Sequence, residues 1–207
     1  MQSDNYTPAS VAAEVKKYDG VRRKQAIGSL VKTLHIDNLD VIASYGEDAA
    51  VIQNGRTAVL LAADGIWNKL MDIDPYWAGY CAILVNVHDI AAMGGRPVAM
   101  VDILSASDDE IMAQVSNGMR DAANAFNVPV VGGHLHPDAP YNVIDVSILG
   151  IADLENVIYS STANVGDAII MAIDLNGRVH PSAKMNWDSV TQKSPEVLQK
   201  QLGVMKE

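Results

Sequence analysis

Cysteine is almost absent from this chain. Its 207 residues include one, Cys81, so no internal disulfide can form, and no Cys/His array has the spacing of a zinc site. The apolar neighbours of Cys81 mark it as a buried thiol. Long hydrophobic runs are also missing: no stretch approaches the roughly 20 residues that cross a bilayer. The opening MQSDNYTPAS is polar and lacks the apolar segment of a signal peptide. A soluble, cytoplasmic protein without a membrane partner is the simple expectation. Basic residues are scarce as well, 15 against 25 acidic ones, for a net charge of −10. That balance argues against a broad nucleic-acid surface, which needs clustered Lys and Arg. It leaves open a nucleotide held through a divalent cation, with carboxylates on the metal and the metal on the phosphates.

What the chain does have is a core. Apolar residues make up 49% and charged residues 19%, enough for one good domain, or one domain and part of another. Within it, Val85–Gly95 (V-N-V-H-D-I-A-A-M-G-G) carries the most information. Tyr76, Tyr80, Ile83, Leu84, Val87, Ile90 and Ala91 form a helical apolar stripe. Gly94-Gly95 with Pro97 beyond gives the stop. Asn86 and Asp89 are three apart and share a helix face. Asp89 therefore stands near the negative end of the helix dipole, disfavoured by roughly 0.3–1 kcal/mol. A metal ion, a backbone N–H or a cation such as Arg96 would each compensate it.

Along the chain, residues 1–9 read as a loose arm. Ser10–Lys17 and Val21–Leu34 read as amphipathic helices broken at Asp19-Gly20. Arg22-Arg23-Lys24 reads as a solvated face of the second. Ala49–Gln53 and Thr57–Ala63 are strands joined by Asn54-Gly55, a hairpin signal. Val98–Leu104 is a buried strand, and Asp108–Phe126 a helix capped by Ser107. Val128–Val131 is a short strand ending at Gly132-Gly133, and Val143–Ala152 another strand. Polar residues 153–165 mark a candidate boundary. A strand over Gly166–Ile173, a loop and a short helix from about Pro195 follow. The order suggests an α+β layer with helices on one face of a mixed sheet. The last 40 or so residues hold too little structure for an independent core. The expected division is therefore a domain over 1–155 and the incomplete start of a second over 156–207.

Glu47 and Asp48 sit together at a glycine turn, and Asp64 lies at the end of the next strand. The hairpin brings Asp48 and Asp64 to one end of the sheet, where Asp89 would join them. Converging carboxylates repel unless neutralised by divalent cations, although turn chemistry alone also explains Glu47-Asp48 and Asp64-Gly65. Gly132 and Gly133 permit close approach of a ligand or another backbone. His134, followed by His136 and Asp138, suits a metal ligand, a general base, a phosphate contact or an incidental loop histidine.

The ordered set G-E-D-A-A-V-I, A-A-D-G-I, V-N-V-H-D-I-A-A-M-G-G-R-P and V-V-G-G-H resembles a family of ATP-utilising enzymes. It includes aminoimidazole ribonucleotide synthetase, thiamine-monophosphate kinase, selenophosphate synthetase and the hydrogenase-maturation dehydratase. The resemblance covers about 20–175 and looks closest to the synthetase-related branch. It implies an N-terminal α/β domain that dimerises through its strands into a shared β-barrel, followed by a second α/β domain. It implies ATP near the interface, with Mg2+ held by Glu47, Asp48, Asp64 and Asp89. Asn86, Asp89, Gly132 and Gly133 would bind the nucleotide and His134 would act in catalysis. Glu47 stands where an Asp is commoner. The nucleophile loop of selenophosphate synthetase is missing, although Lys24 lies in its general region. The activity implied is ATP/Mg-dependent phosphoryl transfer to an oxygen of a small substrate. A nucleotide-binding or dimerisation module without turnover is the alternative, and a metal-dependent phosphohydrolase a third.

Overall fold

The computed structural model describes residues 6–172 and, beyond them, the backbone of a strand pair at Arg178–Val179 and Trp187–Asp188. The chain falls into two compact units, Met1–Leu39 and Asp40–Glu207. The first holds three helices, α1 (Pro8–Lys17), α2 (Asp19–Lys24) and α3 (Ile27–Leu34). Thr7 and Ser10 form a reciprocal capping box at α1, which starts the helix two residues ahead of the expected Ser10. The expected break at Asp19-Gly20 falls instead at Tyr18, since Asp19 and Gly20 open α2, and a second at Gln25-Ala26 divides the anticipated long helix into α2 and α3.

The second unit is built on a six-stranded mixed sheet, ordered β1-β2-β3-β6-β4-β5. Its strands are β1 (Val41–Ala43), β2 (Ala50–Asn54), β3 (Thr57–Gly65), β4 (Arg96–Ser105), β5 (Val130–His136) and β6 (Val143–Asp153). Only the β4–β5 pair is parallel, and α6 (Asp109–Phe126) makes its crossover. The hairpin between β2 and β3 turns at Gly55 with φ +64°. Glycine in the first loop position is the type II′ arrangement, whose twist matches the strands.

Two helices complete the core: α4 (Asn68–Ile73), which buries Leu70 and Met71, and α5 (Pro75–Ala92). The Asp74 side chain accepts from the Trp77 N–H at 2.9 Å and caps α5. Gly94, at φ +71°, ends α5 in the left-handed conformation that the Gly-Gly pair predicts. At Gly118 a Cβ would run into the Tyr76 carbonyl, so glycine sets the close approach of α5 and α6. Ala58, Leu60, Ala62, Met100, Ile144, Val146 and Ile148 alternate onto the helix-covered face and pack with Ile83, Val87, Ile90 and Val115. The opposite face carries Leu61, Val101, Ile103 and Leu149, which are 38–49% exposed.

Four local expectations are corrected. Asp108, not Ser107, caps α6, accepting from Ile111 N–H at 2.8 Å. The Ser107 N–H is already committed to the Asn142 side chain. β5 does not end at Gly132 but continues to His136, because β4 offers a parallel partner from Met100 to Ser105. β1 and α4 were not anticipated. The strand expected at 166–173 is not formed over its described residues, which are a turn at Gly166 and irregular chain after it. The helix expected from Pro195 lies outside the described residues.

Candidate functional site

The parallel and antiparallel pairings bring chosen residues to one end of the sheet. Asp64 is the penultimate residue of β3, and Ala50, at the start of β2, pairs with Leu61. Asp48, two residues before Ala50, therefore lies at the Asp64 end, as the hairpin register requires. The C-terminal ends of β4 and β5 reach the same end, because both run parallel to β3.

Asn86 is the residue that ties this end to α5. Its side chain is fully buried. Its Oδ1 accepts from the Asp64 N–H at 3.3 Å, and its Nδ2 donates to the Asp64 carbonyl at 3.4 Å and to the Ala82 carbonyl at 2.8 Å. β2 stops opposite Leu61, so no strand reaches Asp64 from that side. The Asn86 amide offers one donor and one acceptor, as a neighbouring peptide would, and completes the strand there. The contact fixes the backbone of an exposed aspartate against a helix that carries half-buried Asp89 one turn further on.

The remaining predicted residues are arranged more loosely. Half-buried Glu47 turns toward the following chain, where its Oε2 accepts from Ser160 N–H at 2.9 Å. Asp48 is exposed. Asp64, Val146, Asp102 and Gly133 form one row across β3, β6, β4 and β5. Three strand spacings put Gly133 roughly 14 Å from Asp64, so His134 is on the same rim as Asp64 but not beside it. Among the described residues, no group of three or more His, Cys, Asp or Glu side chains is gathered closely enough to hold a metal ion, so Glu47, Asp48, Asp64 and Asp89 do not converge on one point. The donors present are carboxylate oxygens on separate elements. That set fits Mg2+, which takes one or two carboxylates and fills its shell with water and phosphate oxygens. It does not fit an ion that needs an all-protein cage.

Gly133 has a structural reason to be glycine. A Cβ there would collide with the carboxylate and carbonyl of Asp102. Gly132 is different, since a Cβ would meet only Val101, at 3.8 Å. Asp102 is a functional candidate that the sequence reading did not select. Burial raises its carboxyl pKa above 3.8, and it lines a groove of about 430 Å³ with Ser116, Arg120, Asn124 and Pro129. An acid inside the apolar run Val98–Leu104 was the available signal. Burial also lowers the pKa of His88 on α5 below 6.5.

An α+β domain with acidic side chains at the rim of a mixed sheet is the class that this geometry defines. The family model described as AIR synthase related protein, N-terminal domain, matches residues 46–152. The chain belongs to that family. It is 46% identical over 200 residues to an uncharacterised protein of Methanocaldococcus jannaschii, covering 94% of this chain and 62% of that one. It is 30% identical over 182 residues to the phosphoribosylformylglycinamidine synthase subunit PurL of Bartonella quintana, covering 81% of this chain and 25% of the subunit. The chain thus spans less than two thirds of the length of either relative. The fold matches that of AaThiL complexed with AMPPCP and TMP, with a TM-score of 0.58 and 24% identity over 69% of this chain and 45% of that one. The sheet and its helices are therefore those of the N-terminal domain that the sequence motifs indicated. No helix among the described residues is long and apolar enough to cross a membrane.

Proposed function

We propose that this chain binds ATP through Mg2+ at the rim formed by Asp48, Asp64 and Asp89. The reading continues to phosphoryl transfer, of synthetase or kinase type, onto an oxygen of a small substrate. The observation that carries it is the buried Asn86 amide holding the Asp64 peptide. That contact fixes one carboxylate-bearing strand end against the helix that presents Asp89, which pre-orients oxygen donors for a cation. Membership of the family and the likeness to a fold solved with AMPPCP support the nucleotide. The bound cation would neutralise phosphate charge.

The chain's own residues would then act by position. Asp64 and Asp89 hold the phosphate end, Asp48 closes the side next to β2, and Glu47 steadies the turn through Ser160. The bare surface at Gly132 lets phosphate or acceptor approach the β5 backbone. His134 contacts the acceptor end, consistent with its distance from Asp64 along the rim. Catalysis of this kind is mostly orientation and charge placement, which can supply roughly 7–11 kcal/mol. The domain division near residue 155 and a functional contribution from the chain that follows belong to the same proposal.

The exposed aliphatic face supports a homodimer. Leu61 and Leu149 pair across β3 and β6, and Val101 and Ile103 continue the same face on β4, beside Ser147 and Asp145 of β6. An apolar sheet face of this extent favours a covering partner, and a second copy is the partner this reading assigns. Calorimetry with ATP, with and without Mg2+, tests the nucleotide site. Heat that requires both ligands and is lost in Asp64→Asn and Asp89→Asn is the expected outcome. Equal binding by these variants would refute the assignment.

A further inference from the structure

The C-terminal end of β5 carries a pair of imidazoles that the nucleotide reading does not use as a pair. His134 and His136 are two apart on a strand, so both side chains leave the same face. Both are exposed in the single chain, at the β5 end of the sheet face that carries Val101 and Ile103, and β5 is an edge strand. Their ring centroids lie 4.6 Å apart with an interplanar angle of 71°. Among the described residues, no hydrogen bond engages either ring.

Two imidazoles on one divalent ion have defined spacing. With metal–nitrogen bonds of about 2.0–2.1 Å, each centroid lies about 3.2 Å from the ion. Bond angles from square to tetrahedral then separate the centroids by roughly 4.5–5.2 Å. The observed separation lies in that window, so the rings can close on an ion by side-chain rotation with the backbone in place. Strand pairing of His134 with Ile103 and His136 with Ser105 holds that backbone.

We propose that His134 and His136 chelate a borderline divalent transition cation of the Zn2+, Ni2+ or Cu2+ class. Imidazole nitrogen suits these ions, whereas Mg2+ selects oxygen donors. No third His, Cys, Asp or Glu completes a cluster with the pair among the described residues. The site is therefore open, with positions left for water or an oxygen donor, rather than a closed structural centre. It is a second cation site at the rim, chemically distinct from the carboxylate site and independent of nucleotide.

The test uses the untagged full chain, titrated calorimetrically with Ni2+ in the absence of nucleotide. One ion per chain should bind with an affinity on the order of micromolar. His136→Ala should weaken binding at least about tenfold through loss of the chelate, and His136→Asn should do the same. Asp64→Asn and Asp89→Asn should leave it unchanged, as should millimolar Mg2+. With Cu2+, electron paramagnetic resonance should show coupling to two imidazole nitrogens, and to one in His136→Ala. Circular dichroism establishes that each variant is folded. No Ni2+ binding at micromolar concentrations, or binding that survives in both His136 variants, overturns the proposal. Loss in Asp64→Asn would also overturn it, by merging the two sites. ATP calorimetry reads the nucleotide site separately, so either reading can fail alone.

Discussion

Replacing Asn86 by Ala removes the clamp between α5 and β3. The side chain is fully buried and makes three hydrogen bonds, at 2.8, 3.3 and 3.4 Å. Each is worth about 0.5–1.5 kcal/mol net, and the two longer ones belong at the low end. The Ala82 carbonyl keeps its place in the helix, whereas the part-buried Asp64 peptide loses its partner. The expected loss is therefore about 2–3 kcal/mol, read from urea unfolding. Asn86→Asp has nearly the same shape but the opposite chemistry. Its carboxylate would face the Asp64 and Ala82 carbonyls, which only accept, and would be buried as a charge. It should be at least as destabilising as Asn86→Ala at neutral pH. Hydrogen exchange at the Asp64 amide should accelerate in both variants, and Mg2+-dependent ATP binding should weaken with it. A stability change below about 0.5 kcal/mol, or an Asn86→Asp variant as stable as the parent, would refute the clamp.

Gly118→Val should cost more than the usual 1–3 kcal/mol of overpacking, because the added carbons meet the Tyr76 backbone rather than a movable side chain, and urea unfolding checks it. Sedimentation should show a species near twice 22.2 kDa, converted to monomer by Val101→Glu; a clean monomer in the parent chain would remove the dimer. The Asp102 carboxyl has a folded-state pKa above its ordinary 3.8, so the protonated acid is the form that the fold favours. Its contribution is complete below pH 3.8 and is lost as the pH rises through the raised value. Asp102→Asn should therefore gain stability relative to the parent over that rise, measured as urea midpoints against pH. His134→Asn should impair acceptor handling without unfolding the chain, seen as reduced turnover with an unchanged melting curve.

The parts of the fold read most directly from sequence are those set by local chemistry. The Asn54-Gly55 pair signals a hairpin, but the turn forms one residue later, on Gly55-Arg56 with Asn54 paired to Thr57; Asp48 comes to the Asp64 end in either register. The helix that ends at Gly94 follows from apolar spacing and a left-handed glycine. Tertiary partners decide what was missed. Gly132 and Gly133 resemble a strand's end until β4 supplies hydrogen bonds beside them. Residues 166–172 have the composition of a strand, but strand propensity needs a neighbouring strand to pair with. The short α4 is fixed by burial of Leu70 and Met71 rather than by a side-chain cap. At the candidate site, the Asn86 and Asp89 spacing was legible, yet the use of Asn86 as a substitute strand neighbour was not. That role depends on where β2 stops. Asp102 stands out in sequence as an acid inside an apolar run, but only the β4–β5 pairing places Gly133 beside it.

The central claim is that phosphate and cation meet at the Asp48–Asp64–Asp89 rim. Paramagnetic broadening of backbone amide resonances by ATP with Mn2+ in place of Mg2+ tests it most directly. The amides of Asp48, Asp64 and Asp89 should be lost first, and that of His134 attenuated next. Those of Gln53, Gly55 and Arg56, which line a groove at the other end of the hairpin, should persist. Loss concentrated at Gln53–Arg56, or no ATP-dependent broadening at Asp64 and Asp89, would contradict the account.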